Sequence, residues 1–470
     1  MLISHLLKCI DTVPPLEDRE VENITDNSEK CVPGSIFVCH EGAEKYLSSA
    51  LEKGAVLVVA KKKLCENCVT VENTRKAYSL ICAEFFSHSY KKLRLIGVTG
   101  TNGKTTVSSM LYHILSCSGK KCALIGTAGY LRCDEENAAT LTTPDPFEMH
   151  RMFCEMTKCN TEFCIMEASS QGLFQERLYP LSFEVGVFTN LTPDHLDYHG
   201  DMESYRKAKE KLFENSEKSV INLDDSYAEN MIDASSDKVI TYSLKKDEAD
   251  FTAKYIRFFE GITDYVIVAR ELIHRVRLQT PGNYNIYNSM AALITAMECG
   301  ISLEESANAL KNFYGVKGRF EILPIHKDYR VIIDYAHTPD SLKQVLLSLS
   351  SFPKNRIITL FGCGGNRDKS KRGEMGRIAA FYSDTVILTS DNPRDENPSD
   401  IIDDIIEGIG ITKTPVYIIE NRRKAIEYAL QKAQKNDIIL LAGKGHETYQ
   451  ITAEGKLPFD ERKIVAELLS

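Results

Sequence analysis

A strand-like apolar run, LRLIGVT (93–99), passes directly into Gly100-Thr101-Asn102-Gly103-Lys104-Thr105-Thr106, after which Val107, Met110, Leu111, Ile114 and Leu115 recur at helical spacing. A strand that turns into a helix through glycines restricts the chain to α/β architectures, because the helix must cross back over the sheet to which the strand belongs. The same junction has a chemistry. Glycines let backbone N–H groups converge on a phosphate, the helix start adds positive potential, Lys104 supplies a full charge and the Thr105 hydroxyl can hold Mg²⁺. Val98 stands where the general phosphate-loop pattern has its first glycine. The strand–loop–helix context nevertheless favours phosphate binding over a bare structural turn.

A length of 470 residues suggests about three domains. Residues 1–91 read as a small α/β unit, with strands at 36–39 and 55–60 and helices near 44–53 and 74–87. Residues 92–318 read as a central α/β block carrying the phosphate loop. Within it, the segments KVITYSL, FTAKYIRFF, DYVIVAR and HRVRLQT between 235 and 282 follow one another at hairpin-like spacing, which predicts an antiparallel annex. Residues 319–470 read as a Rossmann-like domain in which IITLF, TVILTS and DIILLA are parallel strands joined by crossover helices.

Composition narrows the function classes. The formal net charge of −9 argues against an extended nucleic-acid surface, so an anionic ligand must be met by local basic groups. The longest apolar run, AVLVVA (55–60), is far shorter than the roughly 18–20 residues that cross a bilayer. The first residues lack the basic, apolar and small-residue succession of an export signal, so a cytoplasmic protein is expected. Its 14 cysteines are then expected to be reduced, and the isolated Cys65-Glu-Asn-Cys68 pair is a weak metal or redox signal. Neither an internal repeat nor a low-complexity tract is evident.

Candidate chemistry clusters at strand ends. The three C-terminal strands run into GCGGNRD, DNPRDENP and GKGHE, loops that should share the ligand-binding rim of a parallel sheet. Glu167 follows FCIM and His195 lies after VGVFTN, which places a carboxylate and an imidazole near the phosphate loop as Mg²⁺ partners. On the helix predicted at 205–213, Tyr205, Ala208, Leu212 and Phe213 form one stripe. Lys209 points into it, whereas Arg206, Lys207 and Lys211 face away. An inward lysine either snorkels or has its pKa lowered by burial, exposing a reactive neutral amine.

Taken together, GTNGKT, Thr142-Thr143-Pro144, MEASS, FTNLTPDHLDYH, YRKAK, GNYNIYN, GRFE, DYAHTPD, GCGGNRD and DNPR resemble the Mur ligase family over nearly the whole chain, most weakly in the first 90 residues. The resemblance implies three domains that bind, in order, a UDP-linked substrate, ATP and an amino acid. It implies an ATP-dependent ligase, acting through an acyl phosphate, that adds meso-diaminopimelate to the D-Glu γ-carboxylate of UDP-MurNAc-L-Ala-D-Glu in peptidoglycan precursor synthesis. A monomer using ATP and Mg²⁺ is expected.

Residue by residue, the resemblance assigns ATP to the 100–106 loop with Asn288, Arg319 and Asp334. It assigns the UDP-peptide to Ser28, Thr142, Thr143, Ser169, Gln175 and Arg177. Magnesium falls to Thr105, Glu167, His195 and Lys209, the last as a carbamate. Lys104, Lys209, His195 and Glu167 form the catalytic set. The acceptor falls to Arg367, Asp391, Asn392, Pro393, Arg394, Gly443 and Glu447. A guanidinium grips a carboxylate through two parallel bonds, and Arg394 is usually lacking in lysine-adding relatives. His337 is either an orienting group or a structural hydrogen-bonder. Departures from the family pattern sit at Asn27-Ser28-Glu29, in a shortened segment after Gly42, and at Gln171. The alternatives are a lysine-adding or other amide ligase of the family, and a phosphate-loop nucleotide-binding protein that performs no ligation.

Overall fold

The computed structural model describes residues 1–13, 18–133, 135–259, 261–350 and 352–470. Its centre is an eleven-stranded sheet in which Arg94–Thr99, the strand leading into the phosphate loop, lies between Phe163–Glu167 and Phe183–Phe188, parallel to both. The register sets the site. Val98 pairs with Glu167 and Thr99 with Phe188, so the carboxylate and the segment after residue 188 emerge beside the loop at one sheet edge.

The helix Lys104–Cys117 and the almost wholly buried Asn283–Glu298 cover one face of this sheet, with Val107, Leu111, Ile114, Met290 and Leu293 fully enclosed. Burying each such side chain contributes about 1.5–3 kcal/mol. The opposite face holds a second core, which includes Met152, Phe153, Leu212 and Phe213.

The remaining sheets flank this block. Four parallel strands, Asn23–Thr25, Ser35–Cys39, Ala55–Ala60 and Cys68–Thr70, form the amino-terminal sheet. The carboxyl-terminal sheet has six strands, in the spatial order Glu321–Ile322, Arg330–Asp334, Ile438–Ala442, Ile357–Phe361, Thr385–Leu388 and Val416–Ile418. All are parallel except the Glu321–Ile322 edge. A two-stranded antiparallel sheet, Tyr449–Thr452 with Gly455–Pro458, completes the four, and the α/β class with one central and two larger flanking sheets is as the sequence indicates. No helix among the described residues is long and apolar enough to cross a membrane.

Two expectations need correction. The annex is not antiparallel throughout: Lys238–Ser243 pairs parallel with Ser216–Asn222, and Phe251–Phe259 joins it in parallel, before Ile262–Ala269 and Leu272–Leu278 turn antiparallel. It extends the central sheet instead of forming a separate one. Apolar alternation encodes which face is buried, but not strand direction. Nor are all thiols free, because Cys133 and Cys159 form a disulfide with Cα atoms 5.7 Å apart. The fold brings together a hairpin end and a helix end that are 26 residues apart in sequence.

Candidate active site

The phosphate loop is braced from behind. Gly100 and Gly103 have φ of 149° and 90°, conformations that side chains rarely adopt, and a Cβ on Gly103 would lie 2.5 Å from Asn288 Oδ1. Asn190 Oδ1 accepts from the Asn102 amide at 2.9 Å, and the Thr189 hydroxyl donates to the Asn102 carbonyl at 2.6 Å. Lys104 folds back over the loop, its Nζ donating to the Gly100 and Thr101 carbonyls at 2.8 and 2.9 Å. Burial and, after the opposing charge of Glu167, the Arg319 guanidinium hold the Lys104 pKa below its ordinary value.

Glu167 is 1% exposed and is held by neutral donors. Its Oε1 accepts from the Thr127 amide at 2.8 Å, and its Oε2 accepts from the Thr127 and Thr105 hydroxyls at 2.9 and 3.1 Å. A Cβ on Gly126 would strike the carboxylate, so the preceding strand end is a cradle shaped for it. A buried carboxylate sharing a hydroxyl with the phosphate loop is a fitting oxygen donor set for Mg²⁺. Among the described residues no group of three or more His, Cys, Asp or Glu side chains is disposed to hold a metal. A cation there needs further oxygens from phosphates or a modified side chain.

Lys209 is the inward lysine that the helical period predicts. In the helix Met202–Glu214 it is 1% exposed, its Nζ 4.6 Å from the Tyr205 ring centroid, with no hydrogen bond or ion pair among the described residues. Burial and the nearby Lys104 ammonium push its pKa well below the usual lysine value. His195, at φ 55°, is near both lysines; the surrounding protein and those charges depress its pKa, opposed by Asp194. Tyr205 ties this helix to the phosphate loop through a 3.1 Å contact between its hydroxyl and Thr101 Oγ1.

Two clefts open from this centre. The first, about 260 Å³, is lined by Asn102, Gly103, Thr106, Asn288, Arg319 and Asp334, which gathers the three residues assigned to ATP outside the loop beside it. Arg319 spans the boundary between sheets, donating to Thr105 Oγ1 at 3.3 Å and lying 4.6 Å from the Tyr335 ring centroid. Asp334 accepts from the Phe320 and Ala336 amides at 2.6 and 2.7 Å, and burial raises its pKa against the pull of Arg319. Asp340 adds a bridge that the sequence did not disclose, accepting from Asn102 Nδ2 at 3.2 Å.

The second cleft, about 180 Å³, lies between Asp194–His195 and the carboxyl-terminal rim. The three rim loops do converge, contributing Arg367, Asp391, Asn392, Arg394, Gly443 and Glu447; Pro393 is adjacent but does not line the space. Arg394, at φ 53°, donates to the Gly365 carbonyl at 2.7 Å, and burial together with Arg367 lowers its pKa. Neither guanidinium has a carboxylate partner among the described residues. Glu447 accepts from Asn392 Nδ2 and from the buried Lys444 ammonium, both at 2.9 Å. His337, whose Nδ1 lies 2.8 Å from the Tyr335 carbonyl, lines the same cleft, and burial brings its pKa to about 4.

Five of the six residues assigned to the UDP-peptide form one network. Thr142 contacts Thr127 at 3.0 Å, and Thr143 bonds the Glu167 carbonyl and Ser169 at 2.8 and 2.9 Å. Arg177 donates to the Thr143 carbonyl at 2.7 Å and through two nitrogens to Gln175 Oε1. Ser28 is buried in the amino-terminal unit and makes no side-chain bond to that network. Thr127, Asp194 and Asp340 escaped the sequence reading because their importance lies in what they touch across the fold.

A phosphate loop at the parallel centre of a mixed sheet, with one cleft beside the loop and a second lined by charged side chains of both signs, defines an α/β nucleotide-dependent enzyme. Residues 98–296 match the Mur ligase middle domain and residues 318–445 the Mur ligase glutamate ligase domain. The chain is 43% identical to UDP-N-acetylmuramoyl-L-alanyl-D-glutamate–2,6-diaminopimelate ligase 1 of Clostridium acetobutylicum, over 96% of this chain and 95% of that one. It is 40% identical to the corresponding ligase of Clostridium perfringens, over 100% and 99%. A solved structure of a ligase of that name covers 100% of the chain, and the chain covers 99% of it, at 32% identity and a TM-score of 0.71. The MurF ligase of Thermotoga maritima in complex with ADP shares the fold at 18% identity, over 96% and 97% of the two chains, with a TM-score of 0.65. The chain belongs to the Mur ligase family.

Proposed function

We propose that this chain is the ATP-dependent ligase that joins meso-diaminopimelate to the D-Glu γ-carboxylate of UDP-MurNAc-L-Ala-D-Glu in peptidoglycan precursor synthesis. The observation that carries the choice of acceptor is the second cleft, where Arg367 and Arg394 stand without carboxylate partners near Glu447. Two guanidiniums and a carboxylate suit an amino acid with two ammonium–carboxylate centres. Lysine would leave one guanidinium unpaired.

In this reading ATP occupies the first cleft, with its phosphates on the 100–106 loop, and the γ-phosphate passes to the substrate carboxylate to give an acyl phosphate. Lys104 exchanges its two carbonyl bonds for phosphate oxygens and offsets charge during transfer. Thr105, Glu167 and His195 would hold a Mg²⁺ ion, which when bound would neutralise phosphate charge. Lys209, buried and without a polar partner among the described residues, would add CO₂ through its neutral amine, losing one N–H proton to solvent, and the resulting carbamate would be a further anionic oxygen donor for the ion. Arg177, whose guanidinium has only neutral partners within bonding distance, receives a substrate carboxylate among Thr142, Thr143, Ser169 and Gln175. Residues 1–91, with Ser28, hold the uridine end, 92–318 the nucleotide and 319–470 the acceptor. We place the reaction in the cytoplasm, where ATP and nucleotide-linked precursors coexist, and treat the enzyme as a monomer.

The test is phosphate release with ATP, the UDP-dipeptide and a panel of amino acids. Diaminopimelate should support turnover about 10–100-fold better than lysine, as a lost charged contact of about 1.5–3 kcal/mol implies. Equal use of lysine would refute the acceptor assignment, and release independent of both co-substrates would indicate a nucleotide hydrolase.

A further inference from the structure

Three cations crowd the start of the helix Ser370–Tyr382, and two are already satisfied. Lys369 lies 3.5 Å from Glu396, and the fully buried Arg372 is paired with Asp404 at 2.8 Å and Glu396 at 3.0 Å. Lys371 alone of the three has no hydrogen bond or ion pair among the described residues, and it lines the second cleft. A lysine in the first turn also opposes the positive end of the helix dipole. Such a charge, half-buried and unpaired, is stabilised once an anion enters the cleft.

Its charged neighbours within the cleft differ from those of Arg394. The Lys371 charge bears on Asp194, whose carboxylate also acts on Lys104 of the phosphate loop, on His337, and on Cys363 of the GCGGNRD loop. Arg394 instead has Arg367, Asp391, Glu447 and Tyr335 as its charged and titratable neighbours. In the ligase reading the two arginines take the acceptor's carboxylates, which leaves the lysine for the acylated phosphate.

We infer that Lys371 is a catalytic residue of the second half-reaction, its ammonium contacting the phosphate group as it leaves the acylated substrate. This rests on the ligase reading. In that step the acceptor amine forms a C–N bond to the carbonyl carbon, and the C–O bond to phosphate breaks with its electron pair left on the phosphate oxygen. One N–H proton ends on the phosphate, giving HPO₄²⁻ beside the amide. Charge grows on the leaving oxygens only as that bond breaks, so a cation placed there stabilises the transition state more than the bound substrates.

The experiment compares full-length wild type with Lys371→Met and Lys371→Arg. It measures kcat, KM for each substrate, thermal midpoint, and acceptor-free scrambling of oxygen isotope between the bridging and non-bridging positions of ATP, which reports reversible acyl phosphate formation. Lys371→Met should lower kcat by on the order of 10²-fold, with every KM within about threefold, scrambling retained and the midpoint unchanged; Lys371→Arg should recover part of the loss. A raised acceptor KM with normal kcat, scrambling lost in parallel with kcat, a lowered midpoint, or full activity of Lys371→Met would each overturn the assignment. Wild type that shows neither scrambling nor acceptor-dependent turnover would instead overturn the ligase reading.

Discussion

Lys104 illustrates how a side chain can be prepared for a ligand before the ligand arrives. Its ammonium is held over the loop by two backbone carbonyls, neutral partners that an anionic ligand can replace. Lys104→Met should reduce kcat by on the order of 10²–10³-fold while the thermal midpoint stays near wild type, measured by coupled ADP release and calorimetry. Arg394 has a different role. With only carbonyl partners it can be spared for a ligand, and Arg394→Ala should raise the diaminopimelate KM by roughly 10–100-fold while nucleotide affinity by titration is unchanged. A parallel loss of nucleotide affinity would contradict its placement in the acceptor cleft.

The elements that carry these side chains are locked from behind by buried polar contacts. Arg422, at the start of the helix Arg422–Lys432, pairs with Glu461 of Glu461–Leu469 at 2.8 Å and donates to the Ala442 carbonyl at 2.8 Å, where the GKGHE loop begins. Asp391 also lies 3.7 Å from the Arg422 guanidinium, so removing the arginine leaves two buried carboxylates without their cation, Glu461 the nearer. Arg422→Met should cost about 3–5 kcal/mol in denaturant unfolding, and adding Glu461→Leu should recover much of it; additive losses would show that the pair is not the cause. Legibility in the sequence follows the same division. The phosphate loop, the inward face of Lys209 and the convergence of the rim loops were legible because each depends on local pattern or on a rule of parallel sheets. Asn288, Arg319 and the acceptor residues were reached only through family resemblance, since an amide on a helix or an arginine after a glycine has no chemistry of its own. The Asn102–Asp340 bridge, the Thr127 cradle and the Cys133–Cys159 bond depend on segments that meet only in the folded chain.

Across the molecule, pH acts on folding through groups whose protonation differs between folded and unfolded chains. His150 is 1% exposed, packs edge-on to Tyr90 and Phe153, and burial brings its pKa from 6.5 to about 3. Between those values the unfolded chain binds the extra proton, so this contribution to stability is complete above pH 6.5 and declines as pH falls toward 3. The urea midpoint should therefore drop less steeply from pH 6.5 to 5 in His150→Phe than in wild type, and identical slopes would remove His150 as a cause. In the proposed reaction the central and carboxyl-terminal sheets must be held together, as Arg319–Thr105 and Asn102–Asp340 already do at the first cleft. What the joined halves accomplish is the activation of a carboxylate by ATP. The most direct measurement is oxygen transfer, with the UDP-dipeptide labelled by ¹⁸O in the D-Glu γ-carboxylate and the products analysed by mass spectrometry after turnover with diaminopimelate. One ¹⁸O should appear in each phosphate released, matched by one new amide. Unlabelled phosphate would contradict an acyl phosphate and, with it, this account of the site.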